Sequence, residues 1–200
     1  MCILTETSIF SNSKDSIHMK YDDAPKICPV CGNLLKYRDR RQRIIRTEDG
    51  RTLWCTVRRF KCTNCNRLHT EIPKQLTPYK HYQTSSIEDV IDGVTDESDP
   101  ATADGPSEQT MKRWRRWFSS NEDRLHGYIR NTQQKILEKH LPPDYGSSYL
   151  RSARKNGAGW LHHVLCFVYN LGGFLIPYYE KRLYLERLRC TYLGSTVSSA

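Results

Sequence analysis

Two runs in the first half of the chain alternate apolar with polar residues, and from residue 84 onward the apolar spacing lengthens to that of helices. Arg41–Thr47 and Arg51–Lys61 are rich in Ile, Leu, Val, Trp and Thr and are separated by Glu48-Asp49-Gly50. Asp-Gly between two β-prone runs predicts a hairpin, because the turn needs a positive φ. The interleaving of Leu53, Cys55 and Val57 with Trp54 and Phe60 predicts a ribbon with apolar contacts on both faces. Ile87, Val90, Ile91 and Val94 then recur at i, i+3, i+4 and i+7, and Ser85-Ser86-Ile87-Glu88 fits a capping box, so a helix is expected over 85–94. An acidic stretch follows at Thr95–Pro106, where Asp99-Pro100 and Gly105 bound at most a very short helix. Ser107 is placed to cap a second helix, Glu108–Ser119.

A third amphipathic helix is read over 121–141 from Leu125, Ile129, Ile136, Leu137 and Leu141, stopped by Pro142-Pro143. Residues 144–159 read as loop with about one turn of helix. Trp160–Leu171 and Tyr178–Cys190 read as two more helices, divided by Gly172-Gly173 and Pro177. These would bury Leu125, Ile129, Leu161, Leu165, Val168 and Leu183 against one another or a second subunit. Residues 1–24 are polar and aperiodic, and with 194–200 they are expected to be disordered tails. The expected fold is α+β: a zinc ribbon over 25–82, a helix-turn-helix-like unit over 83–120, and an all-α region over 121–193.

Charge sharpens this picture. The chain of 200 residues carries a net charge of +9. Between Cys28 and Tyr82 stand thirteen Lys/Arg against four acids, so this quarter of the chain holds an excess equal to the whole net charge. A localised excess is the footprint of a phosphate-binding surface. The twenty residues Ala158–Pro177 have the length of a membrane span. They contain His162, His163, Asn170, three glycines and a proline, however, and a buried core helix is the shorter explanation. With no signal peptide and no dense disulfide pattern, a reducing cytoplasmic, nucleoid-associated location is expected.

Four of the eight cysteines form two C-x2-C pairs, Cys28/Cys31 and Cys62/Cys65. Two intervening residues let both thiolates turn to one ion, and Gly32 and Asn66 are residue types that tolerate the left-handed exit from such a knuckle. Thirty residues separate the pairs, and the hairpin absorbs that length and returns the chain to the first knuckle. The expectation is one structural Zn²⁺ held by four thiolates, with no open position for a substrate. His69 is weighed as an alternative ligand and set aside as a packed residue, and Cys55 reads as core. His69-Thr70-Glu71 matches the H-x-E of zinc deaminases, but both Cys pairs lie upstream of it rather than downstream, so the match is chance.

On a helical wheel Met111, Trp114, Trp117 and Phe118 fall within roughly 120°. Gln109, Lys112, Arg113 and Arg116 occupy the other side, with Arg115 at the edge. Such a helix suits the major groove, where Arg and Lys meet guanine edges or phosphates and Gln meets adenine. With Arg41, Arg43, Arg46, Arg58 and Arg59 of the ribbon, these residues form the candidate nucleic-acid surface.

The runs CPVCG, RRFKCTNCNRLHTEIPKQLTPYKHY and TMKRWRRWF resemble an uncharacterised bacterial family known only as a domain of unknown function. Similar zinc-ribbon and helix-turn-helix arrangements begin many insertion-sequence transposases. The resemblance covers roughly residues 25–120. It implies a DNA-binding protein of mobile elements, with Cys28, Cys31, Cys62 and Cys65 as ligands and Lys112–Arg116 on double-stranded DNA. The function expected is non-catalytic: a transposition accessory or a transcriptional regulator. A partner transposase and a homodimer are compatible with it. A protein-docking adaptor and an RNA-binding protein stay open as alternatives.

Overall fold

In the computed structural model, strand β5 (Thr52–Cys62) organises the sheet, because its alternating residues serve two different cores. The structure describes residues 1–6, 8–13, 16–47, 50–96, 98 and 105–176. The expected helix Tyr178–Cys190 and most of the acidic stretch lie outside them. One edge of β5 pairs along its length with antiparallel β4 (Leu35–Arg46), from Leu35 opposite Cys62 to Arg46 opposite Thr52. This is the expected hairpin, extended toward both cysteine pairs, and Gly50 has the positive φ its turn requires (75°). The other edge is shared. Antiparallel β6 (Leu68–Pro73) takes Arg59–Lys61, and parallel β3 (Ser16–Lys20) takes Trp54 and Cys55. Strand β1 (Cys2–Thr5) lies parallel to β6, and β2 (Ser8–Ser13) lies antiparallel to β3, completing a six-stranded sheet.

The N-terminal residues are therefore not a frayed tail. Cys2 and Leu4 enter the main core, and Ile3 points to the opposite side of the sheet. Four residues, three of them apolar, suffice because the strand is held from both edges. On the edge of β1 away from β6, Asn170 acts as a short artificial strand: its Nδ2 donates to the Leu4 carbonyl (2.7 Å) and its Oδ1 accepts the Leu4 N–H (2.8 Å). A buried strand edge is thereby satisfied by one side chain.

The helices cover the face of the sheet that carries Cys55 and Val57. Helix α1 (Thr84–Asp92) matches the expected element, but its capping box does not form: Gln83 is the N-cap, without a side-chain bond. Glu88 instead reaches away from its own helix. The two helices expected at 108–119 and 121–141 are one continuous element, α2 (Glu108–Leu137), of 30 residues. The polar Ser119-Ser120-Asn121 reads as a boundary, yet Asn121 is buried inside the helix. It donates to the Ile176 carbonyl (2.9 Å) and accepts the Ile176 N–H (2.8 Å). The expected loop at 144–159 contains α3 (Tyr145–Lys155), and α4 (Trp160–Asn170) follows as predicted.

Helix α2 supplies Met111, Trp114, Trp117, Phe118, Leu125 and Ile129 to the core, the apolar stripe read from the wheel. Each large side chain so buried contributes about 2–3 kcal/mol. Helices α2 and α3 meet with Gly146 against the His126 backbone, where an added Cβ would lie 2.3 Å from the His126 oxygen. Gly146→Ala is therefore expected to lower stability by about 1–3 kcal/mol, as overpacking does. Chemical denaturation checks this, and an unchanged midpoint contradicts the close approach. Among the described residues no helix is long and apolar enough to cross a membrane.

Candidate metal centre

The second face of the sheet holds a small core of its own: Ile3, Cys28, Leu35, Phe60 and Cys62, with Cys31 and Cys65 packed at its rim. The hairpin brings Cys62 opposite Leu35, just after the first knuckle, so pairs remote in sequence meet. Each knuckle is shaped by backbone bonds. The Gly32 N–H donates to the Cys28 carbonyl (2.9 Å), the Cys62 N–H to the Arg67 carbonyl (3.0 Å), and the Asn64 N–H to the Cys62 sulfur (3.4 Å). Gly32 and Asn66 sit at φ 73° and 58°, the left-handed exits their residue types favour.

The sulfurs of Cys28, Cys31, Cys62 and Cys65 all lie within 4.8 Å of one another. Cys28 and Cys65 are 3.7 Å apart and Cys31 and Cys62 are 3.4 Å apart. A tetrahedron with metal–sulfur bonds of about 2.3 Å has sulfur–sulfur edges of about 3.8 Å. The four thiols therefore fit a single ion. The Asn33 backbone amide is the chief cause holding the Cys31 thiol down, at about 6.

Behind the sulfurs lies His69 on β6, fully buried, with Nε2 3.4 Å from the Cys28 sulfur. Burial pushes its pKa down, favouring the neutral ring, whose Nε2 faces the Cys28 sulfur. His69 thus supports the cluster from outside the four-sulfur set. Next to it the buried Glu71 accepts from Arg58 Nε (2.6 Å) and faces Lys26 (3.4 Å). At the far side Gly172 (φ +83°) lies so close to the first knuckle that a Cβ there would sit 2.5 Å from the Pro29 oxygen. The turn that follows α4 thus rests directly on the first knuckle.

The ten candidate nucleic-acid residues divide in two. Arg43 donates to the carbonyls of Thr77 (2.8 Å) and Lys80. Arg58 is held by Glu71, by the Asp22 carbonyl (2.8 Å) and over the Tyr21 ring (4.3 Å). Arg59 grips Asp39 through two bonds (2.5 and 2.6 Å). Arg115 donates to the carbonyls of Val90 (3.1 Å) and Thr95 (3.4 Å), fastening the end of α1. These four arginines are internal fasteners. Arg41, Arg46, Gln109, Lys112 and Arg116 are exposed and Arg113 is half-buried, with Lys112 beside Glu108. Trp54, whose face of the ribbon is expected from the alternation to touch something apolar, is instead 49% exposed.

Sequence reasoning missed Glu88 and the two asparagine clamps, whose partners are backbone groups far along the chain and carry no local signal. The described residues thus form a mixed α/β protein with a four-cysteine cluster able to hold a metal ion. Residues 28–114 match a family described as Domain of unknown function (DUF6431), a span running from the first knuckle to Trp114 of α2. No curated protein and no solved structure matches the chain.

Proposed function

We infer that this is a non-catalytic, zinc-dependent protein that binds double-stranded DNA, acting as a transcriptional regulator or an accessory of transposition. Four thiolates in a closed tetrahedral set are the donors Zn²⁺ prefers for a structural role, and they leave no position for a reacting ligand. On this reading the two knuckles and the β4–β5 hairpin form a zinc ribbon, and α1 with the start of α2 forms the DNA-reading unit. The connection between those helices, residues 93–107, is longer than the three or four residues of a usual helix-turn-helix. The likeness to DNA-binding parts of insertion-sequence transposases favours mobile-element work.

The observation that carries the proposal is the join between the two basic elements. Arg43 of β4 binds the segment at 77–80, whose Lys80 ammonium lies 4.6 Å from the Trp117 ring centre of α2. Arg46 lies over Tyr82 (5.8 Å), which packs edge-on against Trp114 (4.9 Å). The ribbon edge with Arg41 and Arg46 and the helix with Gln109, Lys112, Arg113 and Arg116 are thereby built on one scaffold, as a phosphate-and-base-reading surface needs.

Selection of random duplex DNA by the zinc-loaded protein at near-physiological salt tests this directly, with an enriched motif expected. Affinity should fall by about 0.9 log unit per log unit of salt for each phosphate neutralised. Arg113→Ala with Arg116→Ala is expected to weaken binding by about ten-fold or more while shifting stability by no more than about 0.5 kcal/mol. No enrichment and no salt-dependent binding would overturn the proposal in favour of a protein-docking adaptor.

A further inference from the structure

The sheet face opposite the helices carries a strip that the duplex-binding surface does not use. Register along the hairpin sets Tyr37 opposite Phe60, Arg40 opposite Arg58, Gln42 opposite Thr56, and Ile44 opposite Trp54. By alternation these pairs share one face, and Trp54 and Tyr37 stand about 20 Å apart at its two ends. Both aromatics are open to solvent, Tyr37 at 55% and Trp54 at 49%, whereas the other three tryptophans are buried. Beside Trp54 the surface dips into a cavity of about 330 Å³ lined by Arg40, Gln42, Thr56, Tyr21 and Met19.

The Tyr21 hydroxyl at this cavity is spent on the Thr56 carbonyl (2.9 Å), but three other polar groups are not. Arg40, Gln42 and the Trp54 indole make no hydrogen bond or ion pair with the described residues, and Arg40 is exposed. Two acids among the described residues on this side, Glu71 and Asp22, are taken. Glu71 is held by Arg58 and Lys26, and Asp22 by Lys26. An indole face, a free guanidinium and a free carboxamide around a hollow match one chemistry: a stacked base, its phosphate and its hydrogen-bonding edge. A duplex offers no unstacked base, so the ligand this strip fits is a single strand.

We propose that the outer face of the β4–β5 hairpin is a second nucleic-acid site, which takes single-stranded DNA or RNA by stacking a base on Trp54. Arg40 meets the adjoining phosphate, Gln42 the base edge, and Tyr37 offers a further stacking platform along the strip. This rests on the proposed nucleic-acid function and adds to it a strand-separated ligand at a site remote from α2.

The test titrates the full-length, zinc-loaded protein with a single strand of about twelve thymidylates, the matching uridylate strand, and a duplex, reading tryptophan emission and affinity. Trp54 is the only exposed tryptophan, so stacking should quench the solvent-exposed part of the emission. Trp54→Ala is expected to weaken single-strand binding by about ten-fold or more, while Trp54→Phe, which keeps a ring, retains most of it. Arg113→Ala with Arg116→Ala should show the reverse pattern, losing duplex and keeping single strand. Preference for either single strand supports the site, and the ratio of the two identifies the natural ligand. Duplex binding without single-strand binding overturns this site and leaves the function intact, as does single-strand binding untouched by Trp54→Ala. Failure to bind any nucleic acid overturns both.

Discussion

Cys62→Ser is expected to release the metal ion and unfold one end of the sheet, lowering stability by several kcal/mol. Cys62 is buried, terminates β5 and shares a small core with Ile3, Cys28, Leu35 and Phe60. That core has few apolar residues, so metal–thiolate bonds supply most of what holds the two knuckles together. The loss should be local first. The larger core draws on all four helices and on Cys55 and Val57, and it is a separate cluster from the one that holds the sulfurs. Metal analysis should show less than one ion per chain. Amide exchange should show lost protection in β1, β6 and the end of β5, with helix signal largely retained. A variant that keeps its ion and its protection would refute the four-cysteine assignment. His69→Gln is a useful contrast, since it removes a supporting group without removing a ligand.

Glu88→Ala is expected to cost about 3 kcal/mol, an unusually large effect for a residue on a surface-type helix. Its carboxylate is buried, and it accepts the N–H groups of Gly159 (2.5 Å) and Leu161 (2.8 Å) at the start of α4. Those amides have no partner within their own helix, and the positive end of the helix favours a negative cap. Removing the carboxylate leaves two donors unpaired, the buried Leu161 N–H and the half-buried Gly159 N–H beside a cavity of about 380 Å³ that Glu88 lines. Glu88→Gln keeps one acceptor and should cost clearly less. Thermal and denaturant unfolding of both variants decides it: equal, small effects would show that the cap is dispensable.

The cysteine cluster and the hairpin were legible because both are local chemistry: fixed spacings, a glycine where φ is positive, and alternation across a ribbon. The core stripe of α2 was legible for the same reason. What could not be read were long-range uses of ordinary residues. Glu88 fits a capping box by spacing, yet serves a helix that begins some seventy residues later. Asn121 looks like an interruption and is a clamp. Cys2-Ile3-Leu4 is too short to score as a strand alone and becomes one only through β6 and Asn170. Charge counting likewise treated all arginines alike, whereas Arg43, Arg58, Arg59 and Arg115 fasten the fold. Their partners are carbonyls and acids that only tertiary structure brings near.

The clasp between Asn170 and Leu4 sets a constraint on how the molecule is made. The two residues lie 166 positions apart, and synthesis at about 5–20 residues per second separates their emergence by roughly 10–30 s. For that interval a nascent chain carries its first strand with the outer edge unpaired, even where β6 has already joined it. An open edge of this kind invites pairing with another chain. Substitutions at Asn170 should therefore show up in the yield of correctly folded protein from translation before they show up in the stability of the finished molecule.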